Sequence, residues 1–139
     1  MDEKPAWLIE KEIPLDNGNT AQWSYDTEGD MLEIFFQEGN ATCTVELADG
    51  VFLRLDLQQR RPLSIAFLAV SALTRYGEFG PFLLQLDGLK DLSDELRQTV
   101  IQIITSPPVS SVLKVFSYSP SPQRKKPMPV AWLPHQLAS

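Results

Sequence analysis

Between residues 20 and 73, apolar side chains alternate with polar ones in short runs about ten residues apart, with turn-forming residues between them. Ala21, Trp23 and Tyr25 start the series, and Asp26-Thr27-Glu28-Gly29-Asp30 supplies a turn. Met31 to Phe36 follows and closes at Glu38-Gly39-Asn40. Ala41, Cys43, Val45 and Leu47 then alternate with Thr42, Thr44 and Glu46 up to Asp49-Gly50. Val51, Leu53, Leu55 and Leu57 come next, and after Gln58 to Pro62 the pattern returns at Leu63, Ile65 and Phe67. A period of two places alternate side chains on opposite faces of a strand, and tight turns join neighbours in antiparallel fashion. The expectation is an antiparallel meander of five to six strands.

That pattern divides the side chains between two faces. Trp23, Ile34, Val45, Leu53, Leu55 and Ile65 would form the core face. Met31, Glu33, Phe35, Thr44, Phe52, Arg54 and Leu68 would form the other. Met31, Phe35, Phe52 and Leu68 are too apolar for a fully wetted face, so a cover is expected: the N-terminal segment, the C-terminal segment, a second copy or another protein.

The residues that carry the strands also carry a likeness. Tyr25-Asp26, Asp30-Met31-Leu32-Glu33-Ile34, Val45-Glu46, Asp49-Gly50-Val51-Phe52-Leu53-Arg54-Leu55-Asp56 and Pro62-Leu63-Ser64-Ile65-Ala66-Phe67-Leu68 resemble the short bacterial family DUF2283 over residues 23–73. Many members of that family have an acidic residue in the last strand where this chain has Ala66, so a role of that carboxylate would be missing here. The family name records no function, and the resemblance implies a fold rather than an activity. Composition and hydrophobic pattern divide the chain into an N-terminal arm (1–19), a single DUF2283-like α+β domain (20–118) and a proline-rich basic tail (119–139).

Outside the strands, Trp7, Leu8, Ile9 and Ile13 sit between Pro5 and Pro14 and suggest an arm that docks on the body through Trp7. Phe82 to Leu86 is a candidate sixth strand. Leu92, Leu96, Val100 and Ile103/Ile104 recur at helical spacing, with Asp91 as the candidate N-cap and Pro107-Pro108 as the stop. This main helix should pack on one face of the sheet. Val112 to Tyr118 reads as extended and ready to pair with a sheet edge. Five of the eleven prolines fall in residues 119–139, where Trp132 and Leu133 are candidate anchors.

A chain of 139 residues supports one core of useful size. Its net charge of -6 is split unevenly: residues 1–96 hold seven cations and all eighteen carboxylates, and residues 97–139 hold five cations and no carboxylate. An acidic body repels phosphate backbones, which argues against general nucleic-acid binding, and Arg124-Lys125-Lys126 is short of a basic stripe. No apolar run reaches membrane-helix length, and the acidic start Met-Asp-Glu-Lys-Pro lacks a signal core, so a cytoplasmic location is expected.

Chemistry is poorly supplied. Cys43 and His135 are the only cysteine and histidine, too few for a zinc site. The acidic turn Asp26 to Asp30 lacks the length and terminal glutamate of a calcium loop and reads as a hairpin. Glu33/Glu46 and Glu46/Asp56 are candidate carboxylate pairs across neighbouring strands, but an acid/base pair needs a pocket that separates the two pKa values. Asp56 with Arg54 or a neighbouring lysine reads more simply as a surface ion pair. No catalytic, cofactor or metal residues are expected.

The leading expectation is a non-catalytic protein-binding module, an adaptor or assembly chaperone holding an extended segment of a larger protein. Met31, Phe35, Phe52, Arg54 and Leu68 are its partner-binding residues. In size, acidity and tail composition the chain is similar to small cyanobacterial assembly factors, including the kind that helps carboxysome shell proteins assemble, though no motif accompanies that likeness. A regulatory or antitoxin-like protein and a carboxylate-based enzyme or small-ligand binder are the alternatives, and a homodimer is a further option for the apolar face.

Overall fold

The computed structural model describes residues 5–78, 80–118 and 128–134. Six strands form the main sheet: β1 (Leu8–Pro14), β2 (Thr20–Asp26), β3 (Met31–Phe35), β4 (Cys43–Ala48), β5 (Val51–Asp56) and β6 (Arg61–Leu68). A short helix α1 (Val70–Leu73) follows, then three two-residue strands, β7 (Tyr76–Gly77), β8 (Gly80–Pro81) and β9 (Leu84–Gln85). After a 3-10 turn over Asp87–Asp91 come the main helix α2 (Asp94–Ile104), a second 3-10 turn over Val109–Ser111, β10 (Lys114–Tyr118) and β11 (Met128–Trp132). The architecture is α+β, with a mostly antiparallel sheet and one main helix.

The order β1-β2-β3-β6-β5-β4 is not one continuous meander. Two three-stranded meanders lie side by side, and their last strands, β3 and β6, run antiparallel down the middle. The same kind of turn closes both. Asp26 Oδ1 accepts from the backbone N–H of Glu28 and of Gly29 at 2.9 Å, and the turn ends on Asp30 with φ 54°. Asp56 Oδ1 accepts from the N–H of Gln58 at 3.0 Å and of Gln59 at 3.3 Å, and that turn ends on Arg60 with φ 52°. In each, an aspartate side chain replaces the missing ladder bonds, and one left-handed residue reverses the chain.

To reach β4 on the far edge, the chain leaves β3 and crosses the ends of β6 and β5. Phe36 N–H donates to the Leu63 carbonyl at 2.9 Å, Gln37 Nε2 to the Pro62 carbonyl at 2.8 Å, and Thr42 N–H to the Leu55 carbonyl at 3.0 Å. Gly39, at φ 154°, passes over Leu63, where a Cβ would come within 3.2 Å of a Leu63 methyl. Arg54 faces Ser64 and Leu55 faces Pro62, so a bulge leaves Leu63 with no partner on β5.

The N-terminal segment differs from the expected arm. Leu8–Pro14 is the edge strand β1, in register with β2 from Leu8 opposite Asp26 to Pro14 opposite Thr20. Trp7 is 40% exposed, and its carbonyl accepts from Thr27 N–H at 2.7 Å. Phe82 to Leu86 shrinks to β9, in which Leu84 and Gln85 pair with β11, and Leu86 N–H donates to the Pro129 carbonyl at 3.0 Å. Ser93, rather than Asp91, caps α2 and accepts from Leu96 N–H at 3.3 Å; Asp91 ends the preceding 3-10 turn. β10 pairs with β11 and not with the main sheet. Within the tail, Leu133 is buried in the core and Trp132 is half-buried, while residues 119–127 and His135 lie outside the described residues.

Trp23, Ile34, Ile65, Leu53 and Val45 stand opposite one another across five strands in one register row, and each is buried. Val100 and Ile104 of α2, with Leu86, Leu89, Val109, Leu113, Ala131 and Leu133, complete the core over that face. The helix covers only part of it, and the 3-10 turns and β11 supply the remainder.

Candidate partner-binding face

Every residue expected on the second face is on it. Met31 stands opposite Leu68, Glu33 opposite Ala66, Phe35 opposite Ser64, Phe52 opposite both Ala66 and Glu46, and Arg54 opposite both Ser64 and Thr44. Of the four expected covers, neither terminal segment lies over this face among the described residues: β1 lies in the plane of the sheet, and β11 packs on the core side. Met31 is 44% exposed, and Phe35 and Leu68 are each 38% exposed.

The central strand β6 shows small side chains here. Ser64 and Ala66 form a low floor, with Glu33 and Phe35 on one side and Phe52 and Arg54 on the other. A charged bridge spans the floor at Ser64. Its hydroxyl donates to Glu33 Oε2 at 2.8 Å, and Arg54 Nη1 lies 3.5 Å both from that carboxylate oxygen and from the Ser64 hydroxyl. Ser64 is fully buried as a result. Arg54 is thus paired with Glu33, while Asp56 lies 3.9 Å from Arg61, so the expected Arg54–Asp56 pair is replaced by these two.

A cleft of about 620 Å³ opens at the crossover end of the face, within the size range of about 300–1,000 Å³ of small-ligand pockets. Phe35, Phe36 and Leu63 give it apolar walls, and Glu12, Gln22, Glu38 and Arg54 give it a polar rim. Sequence reading missed this cleft, because the loop that shapes it follows from the crossover and has no periodic signal. Of the expected partner residues, Phe35 and Arg54 line it, while Met31, Leu68 and Phe52 form an apolar band farther along the face.

The carboxylate pairs do not converge. Glu33 and Glu46 share a row but have β6 and β5 between them, and Asp56 stands opposite Arg61. Among the described residues no group of three His, Cys, Asp or Glu is placed to hold a metal ion, and no helix is long and apolar enough to cross a membrane. Cys43 is a free, half-buried strand residue packed against the core.

At the opposite end, Asp30 joins three elements. Its carbonyl accepts from Val70 N–H at 3.0 Å, and its carboxylate accepts from the Tyr25 hydroxyl at 2.8 Å, from Ser71 N–H and from the Ser71 hydroxyl. Burial acts to raise the Asp30 carboxyl, but the hydrogen bonds from Ser71 and Tyr25 outweigh it and hold the group below its usual value. The bond to Asp30 also raises the Tyr25 phenol, aided by burial and by the charges of Asp30 and Asp26. This cluster ties the β2–β3 turn to the start of α1 and has the character of a structural staple. Comparison with family models, curated proteins and solved structures returns no match.

Proposed function

We propose that this chain is a non-catalytic protein-binding module, of the adaptor or assembly-chaperone kind, and that it holds a segment of a larger protein on the outer face of its main sheet. One observation carries the reading: the register gathers Met31, Leu68, Phe52 and Phe35 on a single face, opposite a core that is already complete. Exposed apolar patches rimmed by polar groups are typical of docking surfaces. The DUF2283 likeness over residues 23–73 belongs to the same proposal and rests on its sequence motifs, which fall within β2 to β6.

Docking onto the face suits this molecule better than strand addition at an edge. Asp87–Asp91 packs so closely on β4 that a Cβ on Gly88 would collide with the Glu46 carbonyl, which blocks that edge. The β1 edge carries Glu10, Lys11 and Glu12 and ends on Pro14, features that discourage pairing with a new strand.

The test compares proteins that co-purify from the native cell with the wild-type chain and with a Met31→Lys, Leu68→Glu variant. The proposal expects a stoichiometric partner on the wild type that is lost from the variant, while folding stability stays within about 0.5 kcal/mol per site because both residues are exposed. A partner retained equally by both chains would contradict the proposal.

A further inference from the structure

The outer face has a dominant sign of charge. Glu10, Glu12, Asp26, Glu33, Glu46 and Asp56 lie on it, against two cations among the strand residues: Arg54, held 3.5 Å from Glu33, and Arg61, which lies 3.9 Å from Asp56 and donates to Gln37 Oε1 at 3.2 Å. Glu12 and Glu38 flank the cleft at the crossover end, both exposed and neither in an ion pair among the described residues. The aromatic side chains Phe35 and Phe36 line the same cleft. Aromatic rings beside two carboxylates suit an ammonium or guanidinium group: the ring faces attract the cation, and the carboxylates neutralise it at the rim. A phosphate or carboxylate would meet Glu12 and Glu38 and find Arg54 engaged by Glu33 and Arg61 engaged by Gln37 and Asp56. A purely apolar side chain would desolvate both carboxylates without pairing them.

We propose that this cleft receives a lysine or arginine side chain from a basic, amphipathic segment of a partner protein, whose apolar side chains rest on Met31, Phe52 and Leu68. The distribution of the face sets the order of contacts: the apolar band lies toward the Asp30 end, and the acidic cleft lies at the crossover end. The partner segment therefore carries its cation at one end and its apolar anchors toward the other. This inference rests on the reading of the outer face as a protein-binding surface and adds the chemistry of what binds there.

The full chain, isotope-labelled for amide NMR, is titrated with a short synthetic leucine/lysine peptide that carries its lysine at one end and its leucines toward the other, and with its leucine/glutamate counterpart. The leucine/lysine peptide is expected to shift the amides of Phe35, Phe36 and Gln37 together with those of Met31 and Phe52. Its affinity should fall about five- to tenfold in a Glu12→Gln, Glu38→Gln variant, as expected for two exposed charge contacts. An Asp91→Asn, Glu95→Gln variant makes the same change in net charge away from the face and should bind as the wild type does. Equal weakening in both variants, or equal binding of the leucine/glutamate peptide, would overturn the inference. Shifts at Met31 and Phe52 that ignore Glu12 and Glu38 would overturn it while leaving the binding face in place, and no shifts on the face with either peptide would remove both. Binding that occurs only when Arg124, Lys125 and Lys126 are changed to glutamine would also overturn it, by assigning the cleft to the chain's own basic run.

Discussion

Asp30 adopts φ 54°, a left-handed conformation that aspartate reaches more readily than most side chains. It is held there by bonds to both its carbonyl and its carboxylate. Its carboxyl is depressed in the folded chain, so its contribution to stability is present above the unfolded value of about 4 and is lost as pH falls through the lower folded value. Asp30→Asn is therefore expected to be less stable than the wild type at pH 7, and the gap should narrow as pH falls below about 4. Chemical denaturation at a series of pH values checks this, and a gap that is constant with pH would rule out the linkage. Tyr25→Phe removes one of the hydrogen bonds and should cost about 0.5–1.5 kcal/mol at neutral pH.

At the scale of elements, Gly88 shows how close packing replaces a missing strand. The backbone of the 3-10 turn lies against the Glu46 carbonyl, and no residue with a Cβ fits without moving it. Gly88→Ala is expected to destabilise the fold by about 1–3 kcal/mol and to speed amide exchange along β4, since its outer edge then opens. Equal exchange in variant and wild type would show that the turn does not protect that edge. This contact has no signature in the sequence, where Gly88 is one glycine among seven. Strands β2 to β6 were legible because their period-two patterns lie between strong turn residues. β1 was not, because Glu10, Lys11 and Glu12 break the alternation; its inward Lys11 lies 4.3 Å over the Trp23 ring rather than being apolar. Strand order was equally hidden, since the Phe36 to Thr42 loop is short enough to suggest a hairpin although it crosses two strand ends.

At the scale of the whole molecule, one face of the main sheet is closed over a core, and the other, among the described residues, leaves Met31, Phe35 and Leu68 exposed. The division itself was legible, since a strand's period of two fixes which residues share a side, and Met31, Phe35, Phe52, Arg54 and Leu68 could be named from it. The cleft and the Glu33–Ser64–Arg54 bridge were not, because both depend on which strands become neighbours. The two faces should answer mutation differently: Ile65→Ala, from the fully buried row, should cost about 2–5 kcal/mol, against about 0.5 kcal/mol or less for Leu68→Ser. The most direct measurement of the central claim is hydroxyl-radical footprinting of the chain, alone and in the native-cell complex that the proposal expects. Modification of Met31, Phe35, Phe52 and Leu68 should be readily detected in the free chain and should fall sharply in the complex. Unchanged rates at those four residues, with protection appearing elsewhere on the molecule, would contradict the assignment of the open face as the binding surface.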